Sequence, residues 1–116
     1  MKSRVDTENL KLKFNGKQEL LRKVYQEFSL HVETVLPEMQ AAYEAQDFEV
    51  LKERAHTLKG NAALIGANRV SELASEIQEA SSNNSALSLP SKLSQLHEEA
   101  RVALKELDHF ISYQLS

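Results

Sequence analysis

Apolar residues recur at steps of three and four along most of this 116-residue chain, which is the spacing of one face of an α-helix. The pattern is clearest between residues 48 and 65. Its apolar stripe there consists of Phe48, Leu51, Ala55, Leu58, Ala62 and Ile65. Similar stripes predict helices from 17 to 45, from 68 to 80 and from 90 towards the end of the chain. The chain is therefore predicted to be all-α, with four long amphipathic helices.

The first fifteen residues break this pattern. Leu10, Leu12 and Phe14 alternate with polar residues, a period of two that is typical of a β-strand. No second strand is predicted to pair with them, and a lone strand is not stable. We therefore expect residues 1–15 to form a short helix or an extended arm that lays these three side chains across one end of a bundle. Residues 1–6 are expected to be a loose terminus.

Pro37 lies inside the first long stripe. Proline removes one backbone donor and crowds the preceding turn, so we expect a kink near Glu33. The apolar positions stay in phase on both sides of the proline. That phase favours one bent helix over two separate helices.

Capping residues and loop formers set the other boundaries. Asp47 is a suitable N-cap for the second long helix, and Gly66 predicts its end. Asn68 is expected to cap the third helix. Residues 81–88 are rich in Ser and Asn and predict a loop, and Pro90 suits the first turn of the last helix.

Length and composition indicate a single domain over residues 1–116, with an antiparallel up-and-down four-helix bundle from 17 to 116. The absence of cysteine excludes disulfides and thiolate metal sites. No apolar run approaches the roughly 20 residues of a membrane span. We expect a cytoplasmic protein without membrane contact. A net charge of −3, with both signs mixed along the helices, argues against nucleic-acid binding.

The helical face around His56 is unusual for a structural helix. His56 is one residue past the apolar stripe, so it points about 100° away from Ala55. Lys52, Lys59, Gly60 and Ala63 share its face, at positions −4, +3, +4 and +7. A glycine inside a helix costs about 1 kcal/mol relative to alanine, so its presence indicates that the missing side chain is needed. This face predicts an open imidazole that a large partner can reach, with a lysine beside it for an attached anion.

Imidazole titrates close to neutral pH, and its neutral form is a nucleophile. The chain has no glycine-rich phosphate loop, and so no evident ATP site, and it has no evident acidic cluster for Mg²⁺. A phosphate acceptor without nucleotide or metal apparatus must obtain both from its partners. No cofactor is therefore expected in this chain.

The segment that follows position 55 resembles the signature of histidine-containing phosphotransfer (HPt) domains, which are modules of two-component phosphorelays. The residues that carry the resemblance are His56-Thr57-Leu58-Lys59-Gly60-Asn61-Ala62 and Ile65-Gly66. The family's accessory glutamine, about two turns into the next helix, has a candidate in Gln78. The family is about as long as this chain and consists of similar helices.

The resemblance implies a role for each matching residue. His56 would be phosphorylated, through Nε2, by the aspartyl phosphate of a response-regulator receiver domain and would pass the group to another receiver. Lys59 would stabilise the phosphoryl group, Gly60 would admit the partner, and Gln78 would position the ring or the phosphate. Mg²⁺ is expected in the receiver. A sensor histidine kinase is a further partner class, and the domain could be one piece of a hybrid kinase.

Two alternatives share the same bundle. One is the phospho-acceptor domain of a chemotaxis-type histidine kinase, which is phosphorylated by an ATP-dependent kinase domain. The other is a non-catalytic pseudo-HPt adaptor, which the presence of His56 argues against. His31, His97 and His109 lack the Lys-Gly context and are interpreted as structural or merely exposed. No histidine pair has the i,i+4 spacing of a zinc-binding helix.

Overall fold

A computed structural model describes residues 4–83 and 85–114, and this part of the chain is helical almost throughout. The elements, in chain order, are α1 (Thr7–Lys13), α2 (Gln18–Glu44), α3 (Phe48–Leu64), α4 (Asn68–Ser82) and α5 (Leu89–Gln114), with a single 3₁₀ turn at Ala86–Ser88. The prediction of an all-α fold is confirmed.

Helices α2 to α5 form an antiparallel bundle. Each packs on the next in the chain, and α2 also packs on α5, which closes the bundle. Two interhelical ion pairs show the alternating directions: Arg54 near the start of α3 lies 3.1 Å from Glu38 near the end of α2, and Lys92 of α5 lies 2.7 Å from Glu76 of α4. Helix α2 runs unbroken through Pro37, as the phase of its stripe predicts. The kink near Glu33 stays a prediction.

Small side chains bring α3 and α4 close together. Ala55 and Ala62 of α3 and Ala74 of α4 are fully buried, and Leu51 and Leu58 fill the adjoining core. Because alanine adds little bulk between two helices, polar side chains on α4 can reach the backbone and side chains of α3. This close packing positions the site described below.

The N-terminal segment is a short helix, and it is better anchored than its sequence indicates. Asp6 caps α1 by accepting a hydrogen bond from the Asn9 amide at 3.1 Å, and the Asp6 amide donates to the Gly66 carbonyl at 2.9 Å. Val5 is buried, and Arg4 pairs with Glu99 of α5 at 3.1 Å. The expectation of a loose terminus is therefore wrong for residues 4–6. Residues 1–3 lie outside the described residues.

Only two of the three apolar side chains in this segment cover the bundle. Leu10 and Phe14 are buried, whereas Leu12 is 81% exposed. The prediction that all three pack against the bundle is wrong because the segment is helical. Residues four apart share a helix face, whereas residues two apart lie about 200° from each other.

Two of the predicted caps are present. Asp47 caps α3 by accepting from the Val50 amide at 3.2 Å, and Gly66 follows the end of α3 with φ of +76°. Gly66 also approaches Asp6 so closely that an added Cβ would lie 3.4 Å from the Asp6 carbonyl oxygen. Both features favour glycine at this position.

The start and the end of α4 differ from the prediction. The N-cap is the buried Ala67, whose amide donates to the Ala62 carbonyl at 2.9 Å, so Asn68 is already the first helical residue and does not cap α4. At the other end α4 continues through Ser82. Ser81 is buried and donates its hydroxyl proton to the Ile77 carbonyl at 2.7 Å, which lets a polar residue extend the helix. The predicted loop at 81–88 is therefore shorter. Pro90 lies in the first turn of α5, as expected.

Candidate functional site

His56 lies in the middle of α3, on the face that points away from the core. Its side chain is exposed, while Ala55 and Leu58 on either side are fully buried. The phase of the apolar stripe fixes this orientation, because an apolar face turned inwards leaves the neighbouring positions outside. The ring is therefore open to a docking molecule.

Gln78 of α4 holds one nitrogen of the ring. Its side-chain amide nitrogen lies 3.3 Å from Nδ1 of His56. A glutamine amide can present either its NH₂ group or, after a half-turn, its carbonyl oxygen to this nitrogen. With the oxygen inwards, Gln78 accepts a hydrogen bond from the Nδ1–H group, and Nε2 then carries the lone pair. In either orientation the ring nitrogen that Gln78 contacts is Nδ1.

The ring lies in an open pocket of about 330 Å³. The residues that line it are Glu49, Lys52, Glu53, His56 and Gln78. Side chains on a helix tilt towards its N-terminus, so the imidazole covers the turn that precedes its own Cα. The ring therefore faces the residues at −3, −4 and −7 rather than those that follow it.

Lys59, Gly60 and Ala63 lie on the other side of His56, and all three are exposed. The lysine lies one turn beyond the histidine and is not among the residues that line the ring's pocket. Its carbonyl accepts a hydrogen bond from the Ser71 hydroxyl of α4 at 3.0 Å. This bond joins α4 to α3 one turn along α3, and two turns along α4, from the bond between Gln78 and His56.

No contact within the described chain requires a glycine at position 60. A Cβ built on Gly60 meets no atom within 4 Å, and its backbone is not left-handed, unlike that of Gly16 and Gly66. The described fold therefore gives no steric or conformational reason for a glycine at position 60.

A second concave surface lies between α2 and α3, beside Gly60 and Ala63. It is a groove of about 200 Å³ lined by Val24, Glu27, Phe28, His31, Asn61 and Leu64. Leu64 is 52% exposed, and Leu20, one turn before Val24, is 47% exposed. Leu64 gives the groove an exposed apolar edge, and Leu20 adds exposed apolar surface on α2.

His31 lies at the bottom of this groove. Its Nε2 is buried and has no hydrogen-bond partner within residues 4–83 and 85–114. Burial lowers the pKa of His31, and the nearby Glu38 carboxylate opposes that shift. His31 is therefore neutral near pH 7 and contributes to the groove as a largely apolar ring.

The remaining histidines have ordinary surroundings. His97 donates through Nδ1 to the Leu93 carbonyl at 2.8 Å, and the ring of His109 packs on Tyr113 with centroids 4.6 Å apart. In the described part of the chain no group of three His, Asp or Glu side chains is placed to hold a metal ion. Neither ring has a lysine and a glycine beside it.

Glu49 and Glu53 are the residues at this site that the sequence reasoning missed. They occupy positions −7 and −3 from His56, and both line its pocket. The helical spacing contained this information, because positions −3 and −7 share a face with the histidine as surely as +4 and +7 do.

The fold and the site together define a helical bundle with an exposed imidazole, that of His56, paired through Nδ1 with a glutamine of the neighbouring helix. A family model described as Hpt domain matches residues 23–109, which include most of α2, all of α3 and α4, and most of α5. The chain belongs to the Hpt domain family, whose members take part in phosphotransfer in two-component signalling and interact with receiver domains. No curated protein matches the chain, and no solved structure matches it.

Within the described ranges, 4–83 and 85–114, no helix has the length and apolarity needed to cross a bilayer. A cytoplasmic location stays a prediction.

Proposed function

We propose that this protein relays phosphoryl groups between receiver domains through His56. One observation carries the proposal: within an Hpt fold, an exposed imidazole is held at Nδ1 by Gln78, which leaves Nε2 for reaction. The matching motif residues Lys59 and Gly60 lie on the same exposed face.

The chemistry follows from the ring geometry. With its proton on Nδ1, His56 attacks the phosphorus of an aspartyl phosphate through the Nε2 lone pair. The N–P bond forms while the bond from phosphorus to the aspartyl oxygen breaks, and that electron pair leaves with the carboxylate. The ring then carries the phosphoryl group on Nε2, keeps its proton on Nδ1 and gains positive charge. Gln78 supports this form when its carbonyl oxygen accepts a hydrogen bond from the Nδ1–H group.

The return step reverses these changes. A carboxylate of the second receiver attacks phosphorus, the N–P bond breaks, and the electron pair returns to Nε2. Lys59 is assigned to the phosphoryl group, whose negative charge an ammonium stabilises. No cofactor is assigned to this chain, and Mg²⁺ is assigned to the receiver.

We assign the surface of this chain on which the receiver docks to the imidazole and to the groove between α2 and α3. Gly60 and Ala63 keep the surface low, and the exposed parts of Leu20 and Leu64 supply apolar area. Apolar contact flanked by polar side chains is the usual composition of a transient protein interface.

The test is transfer of labelled phosphate from a phosphorylated receiver to the wild-type chain and to His56→Gln. We expect label on the wild-type chain only, stable to base and labile to acid, with unchanged helical content in the variant. Label that persists in His56→Gln would place the acceptor elsewhere.

The same preparation separates the alternatives. Labelling by a histidine-kinase domain with ATP, but by no receiver, would favour the phospho-acceptor domain of a chemotaxis-type kinase. Binding to a receiver without any labelling would favour a non-catalytic adaptor.

A further inference from the structure

The pocket that holds the His56 ring contains a lysine whose charge is not used within the fold. Lys52 lines this pocket with the imidazole and is half-buried. Within the described residues its ammonium takes part in no ion pair or hydrogen bond, although a carboxylate lies on each side of it along the helix. Other basic side chains of the bundle, such as Arg54 and Lys92, are paired.

The direction of the imidazole brings the ring and Lys52 into the same pocket. The ring tilts towards the N-terminus of α3 and covers the turn that contains Lys52 and Glu53. The side chain of Lys59 tilts in the same direction, over the base of His56, but it does not line the pocket. A group attached to the ring therefore enters the surroundings of Lys52.

The pocket contains one side chain that attracts a phosphoryl group and two that repel it. A phosphoryl group carries about −1.5 to −2 charges near pH 7. Among the described residues, Lys52 is the only cation that lines the pocket, while Glu49 and Glu53 are acidic. Glu53 is 73% exposed, and its carboxylate lies 3.7 Å from the guanidinium of Arg54, which reduces its repulsion.

On this basis we propose that Lys52 binds the phosphoryl group carried by His56 and that Glu49 weakens this binding. The inference rests on the proposed function, because it concerns the phosphorylated state of the same histidine. Attraction by Lys52 would retain the group on the ring, whereas repulsion by Glu49 would favour its transfer to the next receiver.

The experiment measures the second ionisation of the phosphoryl group by ³¹P NMR titration. The full chain is phosphorylated with phosphoramidate, a small donor that needs no docking surface. The Nε2 lone pair of His56 attacks phosphorus, and the P–N bond of the donor breaks. The donor nitrogen leaves with the electron pair of that bond and is released as ammonia. The variants are Lys52→Gln, Lys52→Arg and Glu49→Gln. Lys105→Gln is the matched control, because Lys105 is exposed and lies in a groove between α1 and α5.

A nearby cation favours the more highly charged phosphate, so Lys52→Gln should raise the pKa of the phosphoryl group by about 0.5. Lys52→Arg should restore the wild-type value, Glu49→Gln should lower it, and Lys105→Gln should leave it unchanged. A purely structural role for Lys52 would not produce shifts of opposite sign in Lys52→Gln and Glu49→Gln.

The outcomes separate this inference from the proposed function. If the wild-type chain takes no phosphate on His56 from a phosphorylated receiver, the proposed function is wrong. If the wild-type chain is phosphorylated there and Lys52→Gln titrates like wild type while it retains its helical content, only the role of Lys52 is overturned. If Lys52→Gln loses helical content, the test passes to Lys52→Arg. A phosphoryl pKa in Lys52→Arg that differs from wild type would then overturn the role of Lys52.

Discussion

Replacing Gly60 by alanine should stabilise the fold but slow phosphotransfer from a receiver domain. Position 60 is inside α3, is exposed, has no left-handed backbone and leaves open space around an added Cβ. Under these conditions alanine is more stable than glycine by about 0.8–1 kcal/mol, because glycine loses more backbone freedom when the helix forms. For a chain of this size the midpoint of thermal unfolding should rise by about 4 °C.

The same methyl group should slow phosphotransfer from a receiver. It adds volume to the surface on which we place the partner, and overpacking of a close contact typically costs about 1–3 kcal/mol. We therefore expect the transfer rate to fall by a factor between about 5 and about 150. Phosphorylation of Gly60→Ala by phosphoramidate should stay at the wild-type rate, since a small donor does not need that surface.

Thermal unfolding followed by circular dichroism and a rapid-quench transfer assay measure the two effects. Ala63→Gly is the matched control, because it lies on the same face less than one turn away. It should lower stability, by less than Gly60→Ala raises it, because Ala63 lies in the last turn of α3. A Gly60→Ala variant that is less stable than wild type would refute the structural reasoning. A variant that is more stable and still accepts phosphate from receivers at the wild-type rate would show that the glycine does not serve docking.

Three further predictions concern the fold that carries the site. Leu58→Ala should lower the free energy of unfolding by about 2–5 kcal/mol in a denaturant titration, because Leu58 is fully buried; a loss below about 1 kcal/mol would contradict this. Asp47→Ala should lower the free energy of unfolding by about 1 kcal/mol, because α3 loses its N-cap. Asp47→Ser should keep most of this stability, because serine also caps helices. The hydrogen bond from Lys92 lowers the pKa of Glu76. The ionised Glu76 carboxylate therefore stabilises the fold above the ordinary glutamate pKa, and this stabilisation is lost as the pH falls through the lowered pKa. Glu76→Gln should therefore reduce the loss of stability between about pH 5 and pH 3, and an unchanged pH profile would refute this.

Helical phase explains why most of the fold could be predicted from the sequence. The stripe through Leu51, Ala55 and Leu58 determines which face of α3 is buried, and this places His56 outside without any knowledge of the other helices. The cap at Asp47 could also be predicted from the sequence, because its side chain accepts a hydrogen bond from the backbone amide three residues later. Both features depend on residues that are close in the sequence.

The errors arose where tertiary contacts or a change of period decided the outcome. The alternation of Leu10, Leu12 and Phe14 predicts that all three pack on the bundle, but the segment forms the helix of the two predicted alternatives and turns Leu12 to solvent. Asn68 loses the capping position because the tight turn after Gly66 places the buried Ala67 there. Ser81 remains helical because its hydroxyl bonds within the helix. None of these outcomes follows from residue preference alone.

The contact between Gln78 and His56 depends on how closely α3 and α4 approach. The resemblance to a family, rather than the spacing of residues, pointed to Gln78, since 22 residues and a turn separate it from the histidine. The buried alanines between the two helices allow the approach, and the bond from Ser71 to the Lys59 carbonyl joins them beside the site. The packing of α3 against α4 therefore orients the His56 ring, and the phosphotransfer that we propose depends on this orientation.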